Sequence, residues 1–269
     1  MDQVHRIPSD GLEIAAQVFG AGDPLVFAHG LTGNRHITRR QFAPLADRYR
    51  IVIYDQRGHC DSTPVRDPTL YDLNRMADDM TAVMDYFQTP CAIVGGESMG
   101  AATTITFALK HPERVKTLLL TAPAFSDAPN PDAQHIREMG REITELGMQG
   151  FLKNSAKRMS EIGATPQVIA TLAEMHSSHD PASLALGCQT VMDWMMDDFA
   201  RIAKLKMPTY IITWQNDPLH PFALAQRVAA TIPNARLETI PSLVALFADP
   251  AIVGRIYGRF LEGLDHGTV

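Results

Sequence analysis

The sequence predicts an α/β protein: an open, mostly parallel, doubly wound sheet with a helical cap inserted into it. Three observations carry this expectation. Short apolar runs at 24–28, 51–54 and 91–95 each end in a polar or glycine-rich turn and are separated by helix-like stretches, the alternation expected of parallel strands joined by crossover helices. Two further runs, 115–121 and 210–213, are continuously apolar, as strands buried on both faces are. Between them, residues 124–204 contain no strand-like run and read as several short helices.

Taken in order, residues 12–19 alternate moderately and run into Gly20-Ala21-Gly22-Asp23, which predicts an antiparallel strand at the beginning of the sheet. The parallel strands 24–28, 51–54 and 91–95 follow, then a helix over 101–110 and the strand 115–121. Helices are expected at 134–145, 166–175 and 183–199, the last opened by Asp180-Pro181, a helix-start signal. The strands 210–213 and 236–240 and a helix over 250–262 complete the chain. The division is therefore a core of 1–123 and 205–269 and a cap of 124–204. Many of the 13 methionines fall in that cap, among them Met192, Met195 and Met196, where a flexible side chain fills irregular packing.

Composition narrows the function. At 269 residues with 45% hydrophobic and 20% charged residues, the chain can bury a large core and has no disordered bias. Lys and Arg number 24 against 30 Asp and Glu, a formal charge of -6, so no electrostatic footprint for nucleic acid or an anionic membrane exists. Cys60, Cys91 and Cys188 are an odd, widely spaced set. They build neither a disulfide framework nor a cysteine zinc site, and a reducing cytoplasmic setting is expected. No leader-like N-terminus and no membrane-spanning apolar window are present.

The strongest local signal is Gly96-Glu97-Ser98-Met99-Gly100, placed directly between the run at 91–95 and the helix at 101–110. A serine on such a turn sits in strained backbone, and the two glycines let strand and helix approach without Cβ clashes. Together with His29-Gly30-Leu31-Thr32-Gly33 and the stretch Tyr54-Asp55-Gln56-Arg57-Gly58-His59-Cys60-Asp61-Ser62, this turn resembles the successive marks of the α/β-hydrolase superfamily over nearly the whole chain. The resemblance implies that Ser98 is a nucleophile, and that the amides of Leu31 and Met99 form an oxyanion hole. His29, Arg57 and His59 read as residues bracing loops.

The same resemblance puts the acid of a catalytic triad at Asp217, in the segment 214–221 after the strand at 210–213. The base is where the sequence departs from the family. After the strand at 236–240 comes Pro241-Ser242-Leu243-Val244-Ala245-Leu246-Phe247, with Ala245 in the place of the expected histidine. An alanine cannot accept a proton, and an unactivated serine is a weak nucleophile. Three alternatives follow. His220, three residues after Asp217, is the base, against the competing reading of a solvent-facing residue at a helix start. A histidine from elsewhere, His36 or the pair His176 and His179 spaced to share a helical face, reaches the site. Or the chain uses the pocket for binding, signalling or very slow chemistry. The expected activity is hydrolysis of a small or medium apolar ester or lactone by Ser98, with Asp217 supporting His220. The expected partner is a small molecule, with no cofactor, metal, nucleic acid or membrane involved.

Overall fold

The computed structural model describes residues 3–196 and 199–267. Its strands are β1 (His5–Ser9), β2 (Leu12–Phe19), β3 (Asp23–Ala28), β4 (Tyr49–Tyr54), β5 (Ala92–Glu97), β6 (Val115–Thr121), β7 (Thr209–Thr213) and β8 (Ala235–Thr239). They form one sheet in the order β1-β2-β4-β3-β5-β6-β7-β8. β2 pairs antiparallel with β1 and β4, and every other pairing is parallel. The helices are α1 (Arg35–Phe42), α2 (Leu73–Tyr86), α3 (Met99–Lys110), α4 (Ala133–Glu161), α5 (Pro166–Ser177), α6 (Pro181–Thr190), α7 (Phe222–Thr231), α8 (Leu243–Ala248) and α9 (Ala251–Asp265).

The apolar strands divide their side chains between two layers, because successive residues point to opposite faces. Val26, Ala28, Val94, Leu118 and Leu120 pack on one face against α2, α3 and α7. Leu25, Phe27, Ile93 and Leu119 pack on the other against α1 and α9. Phe27 there meets Phe42 with ring centroids 4.5 Å apart. This is the doubly wound α/β architecture expected from the sequence.

Several elements differ from expectation. The first strand is β1, not the run at 12–19, which becomes the second. The helix expected at 134–145 continues to Glu161, with a kink at Gly147, whose φ of 69° leaves the helical region. Asp180 does cap a helix, its side chain accepting from the Ser183 amide at 2.8 Å, but α6 stops at Thr190. Of the helix expected over 183–199, residues 197–198 lie outside the described residues. The stretch after β8, read as a loop, forms α8, with the Ser242 hydroxyl accepting from the Ala245 amide at 3.1 Å. No helix among the described residues is long and apolar enough to cross a membrane.

The sheet order brings the functional loops together. The carboxyl ends of β3, β5 and β7 point the same way, so the loop 29–34, Ser98 and the segment 214–221 meet at one edge of the sheet, the usual ligand-binding edge of an open α/β sheet. Helices α4 and α5 lie across that edge, and both contribute to the cavity above Ser98.

Candidate active site

Ser98 joins β5 to α3 with φ 53° and ψ −111°, a strained conformation for a residue with a Cβ. The glycines around it fit because nothing else would: a Cβ on Gly96 would run into the Gly100 backbone, and one on Gly100 into the Ala28 carbonyl. The turn thus lifts the Ser98 hydroxyl to the floor of a cavity of about 470 Å³.

The imidazole in contact with Ser98 comes from the segment after β7. Asn216 takes φ 60°, a left-handed conformation that asparagine tolerates better than most residues. The next residue, Asp217, accepts at Oδ1 from the amides of Leu219 at 2.9 Å and His220 at 3.3 Å. Such a side-chain-to-backbone turn curls the chain back on the aspartate. The imidazole at position 220 therefore returns to its own carboxylate. Nδ1 of His220 lies 2.9 Å from Asp217 Oδ2 and its Nε2 lies 3.0 Å from Ser98 Oγ. Burial alone would raise the Asp217 pKa, but the hydrogen bonds from His220, from the Trp214 indole at 2.6 Å and from the backbone hold it at about 2. It is a carboxylate at neutral pH, aimed at the His220 ring.

His220 is 6% exposed, so it is not the solvent-facing helix-start residue that was the competing reading. None of the other histidines that the sequence singled out is hydrogen-bonded to Ser98. His29 donates from Nδ1 to the Gly30 carbonyl at 2.7 Å and accepts the Gln56 amide at Nε2, and burial keeps it neutral. His59 braces the same loop, with Nε2 at 2.6 Å from the Leu31 carbonyl. His36 is exposed on α1. His176 and His179 do not share a helical face: α5 ends at Ser177, and His179, beyond it, accepts the Cys60 amide at 3.2 Å and lies 3.0 Å from the Thr32 carbonyl. Arg57, fully buried, grips Asp79 with two hydrogen bonds of 2.7 and 2.8 Å, which ties the turn after β4 to α2.

Leu31 lines the cavity beside Ser98, and Met99 opens α3, so its amide is one of the donors that a helix start leaves unsatisfied. Sequence reasoning missed three residues of the site. Trp214 fixes Asp217 from behind, Gln41 from α1 reaches the cavity, and Glu97, next to the serine, turns its carboxyl into that cavity. The acid inside Gly-Glu-Ser-Met-Gly, at the end of an otherwise apolar strand, was the available signal.

Ala245 does not line the cavity, whereas its neighbours Leu243, Val244, Leu246 and Phe247 do. The rest of the lining is largely apolar, including Phe125, Ile136, Met139, Met159, Leu172 and Met192. Among the described residues the lining carries no lysine or arginine. Elsewhere, His36, Cys60 and Asp61 bring ligand-type atoms within 4.8 Å of one another. However, Asp61 is paired with the Arg35 guanidinium and burial pushes the Cys60 thiol up to about 12, so a cation there would meet a positive charge and a protonated sulfur.

Comparison with known proteins agrees with this fold. The sequence model of the alpha/beta hydrolase fold matches residues 23–242. The chain is 26% identical over 228 residues, 82% of each chain, to 3-oxoadipate enol-lactonase 2 of Acinetobacter baylyi. It is 33% identical over 232 residues, 82% of this chain and 81% of the relative, to 2-(acetamidomethylene)succinate hydrolase of Mesorhizobium japonicum. A solved thermophilic esterase from Thermogutta terrifontis superposes with a TM-score of 0.81 at 24% identity, covering 97% of this chain and 98% of the other.

Proposed function

This chain belongs to the alpha/beta hydrolase fold family, and from that premise we propose that it hydrolyses small or medium neutral esters or lactones through Ser98, with His220 as general base. The observation that carries the reading is the unbroken relay from Ser98 Oγ to His220 Nε2 at 3.0 Å and from His220 Nδ1 to Asp217 at 2.9 Å. In this reaction Ser98 Oγ attacks the scissile carbonyl while His220 takes its proton. Asp217 orients the ring and balances its positive charge. The amides of Leu31 and Met99 receive the negative charge that develops on the carbonyl oxygen. His220 then returns the proton to the departing alcohol oxygen, and a water repeats the sequence to release the acid.

The cavity supports the substrate class. A volume of about 470 Å³ lies in the roughly 300–1,000 Å³ range of small-molecule sites. Its lining offers apolar contact and, among the described residues, no lysine or arginine to pair with a substrate carboxylate, which favours neutral substrates over the carboxylate-bearing ones that the names of two relatives imply. The helical segment 124–204 acts as a cap that closes the cavity over Ser98. The contact of His220 with Ser98 supports this reading over that of a binding protein with an idle serine.

The test is initial-rate hydrolysis of p-nitrophenyl acetate and butyrate by wild type and Ser98→Ala at matched thermal stability. Turnover that disappears in Ser98→Ala, together with fluorophosphonate labelling of wild type alone, is the expected result. Equal rates in the two proteins would overturn the reading.

A further inference from the structure

Glu97 stands beside the nucleophile but has no part in the relay. Its Oε2 accepts from the Gln41 amide nitrogen at 2.8 Å, and among the described residues that is its one hydrogen-bond partner. The other oxygen, Oε1, lies by Gly30: a Cβ built on that glycine would stand 3.7 Å from Oε1 and 3.4 Å from Ser98 Cβ. Glu97 is half-buried, and it lines the same cavity as Ser98. With no lysine or arginine in the lining among the described residues, an ionised Glu97 would face a largely apolar cavity with the Gln41 amide but no guanidinium or ammonium to balance it, which is costly. Burial accordingly pushes its pKa above the ordinary carboxyl value. In the neutral acid, the oxygen that accepts from Gln41 is the carbonyl oxygen. Gln41 thus occupies Oε2, and Oε1, the oxygen next to the nucleophile, is the one left to meet a substrate.

We propose that Glu97 is a specificity-determining residue whose Oε1 hydroxyl donates to a hydrogen-bond-accepting oxygen on the acyl part of the substrate, selecting hydroxy- or oxo-acyl esters and lactones over plain alkyl ones. The sheet order decides which half of the substrate it meets. β5 carries Ser98, β7 carries His220 on one side of it, and β3 carries Gly30 on the other. The leaving oxygen must face His220 to receive its proton. Glu97 is held on the β3 side, by Gln41 of α1 and beside Gly30, away from the side that the leaving oxygen must face. A donor fixed by a protein amide discriminates well, because a plain alkyl group leaves it unpaired in the cavity.

This inference rests on the ester-hydrolase reading, and its test separates the two. The ratio of kcat/KM for p-nitrophenyl 3-hydroxybutyrate to that for p-nitrophenyl butyrate is measured in wild type, Glu97→Gln and Glu97→Leu, so that a general loss of activity divides out. Wild type is expected to favour the hydroxy ester by about three- to tenfold, the worth of one hydrogen bond. Glu97→Gln, which restores a neutral donor of the same shape, keeps most of the preference, and Glu97→Leu abolishes it. A wild-type ratio near one, or an unchanged ratio in Glu97→Leu, overturns the proposal while leaving the hydrolase reading standing. If wild type turns over neither ester faster than Ser98→Ala, the hydrolase reading fails. Binding of the methyl esters of 3-hydroxybutyrate and butyrate to Ser98→Ala and to Ser98→Ala/Glu97→Leu, followed by tryptophan fluorescence, then decides on Glu97 alone: a preference lost with Glu97 supports the proposal, and equal binding overturns it.

Discussion

Replacing His220 by alanine removes the imidazole hydrogen-bonded to Ser98, and among the described residues no other side chain is hydrogen-bonded to that hydroxyl. His29 and His59 are locked onto backbone groups of the loops they brace, and His179 is held by Cys60 and Thr32. His135 and His176 line the cavity, but neither is hydrogen-bonded to Ser98, whose imidazole partner is His220. Loss of a general base costs about 10²- to 10⁴-fold, and loss of one member of a triad that acts as a unit up to about 10⁶-fold. With no second imidazole hydrogen-bonded to Ser98 among the described residues, His220→Ala is expected to lower kcat/KM for p-nitrophenyl butyrate by about 10⁴-fold, equivalent to roughly 5 kcal/mol of transition-state stabilisation. The same variant is expected to slow fluorophosphonate labelling comparably. The matched control is His220→Ala/Ala245→His, which puts a histidine where the family pattern has one. Because residue 245 sits on α8 without facing the cavity, the double variant is expected to stay within about threefold of His220→Ala, far below the worth of a base. Activity within tenfold of wild type in His220→Ala, or recovery in the double variant, would refute the assignment of the base.

Two further predictions concern stability. Burial alone drives His176 down to about 4, and burial, helped by the nearby His59, drives His179 to about 3. The unfolded chain takes up these protons near pH 6.5 and the folded chain only near 4 and 3, so stability is fullest above 6.5 and falls with pH below it. Each histidine is expected to cost about 2–3 kcal/mol between pH 7 and 4.5. His176 Nδ1 is also buried without a partner, so His176→Phe, packed on Phe151, should show a fall in melting temperature over that interval about 5 °C smaller than wild type. An identical fall in the two proteins would show that His176 does not titrate this way. In the other case, Arg57→Leu strands the buried Asp79 carboxyl and is expected to lose about 3–5 kcal/mol in urea unfolding, much of it recovered in Arg57→Leu/Asp79→Leu. A loss under about 1 kcal/mol would mean that the pair is not what holds α2 to the turn after β4.

What the sequence made legible follows from where the apolar residues had to go. Strands β3 to β7 are covered on both faces, so continuous runs such as Leu118-Leu119-Leu120 had no other reading. β1 escaped notice because it is an edge strand with the composition HRIPS, which shows no apolar run. α1 escaped because RHITRRQF puts three arginines on a helix whose buried members include Arg35, held by Asp55. That charge is buried only because of a partner twenty residues away in the chain. The nucleophile turn was readable because its constraints are local: a strand, a glycine, a helix. The candidate base, His220, could be named only as one of three alternatives, since whether a histidine three residues after an aspartate points to solvent or back into the site depends on the backbone at Asn216 and on the two amides that close the turn on Asp217. Composition does not carry that information.

A base at His220, as proposed, frees the segment after β8 to shape the cavity. When acid and base share one short turn, their mutual geometry is set within a few residues of chain, and only the distance from His220 to Ser98 depends on the packing of β7 against β6 and β6 against β5. The segment after β8 is then released from presenting a catalytic side chain. Here it folds instead into α8, whose Leu243, Val244, Leu246 and Phe247 line the cavity, while Phe247 also packs on the cluster formed by Ile37, Val168, Leu172 and Met175. An enzyme that needed a histidine at 245 would have to keep that backbone fixed to fractions of an ångström, since small misplacements of catalytic groups are expensive. With the base moved to 220, substitutions in α8 act on the volume and shape of the cavity and leave the relay intact, so α8 is the element through which substrate preference can change at least cost to the chemistry.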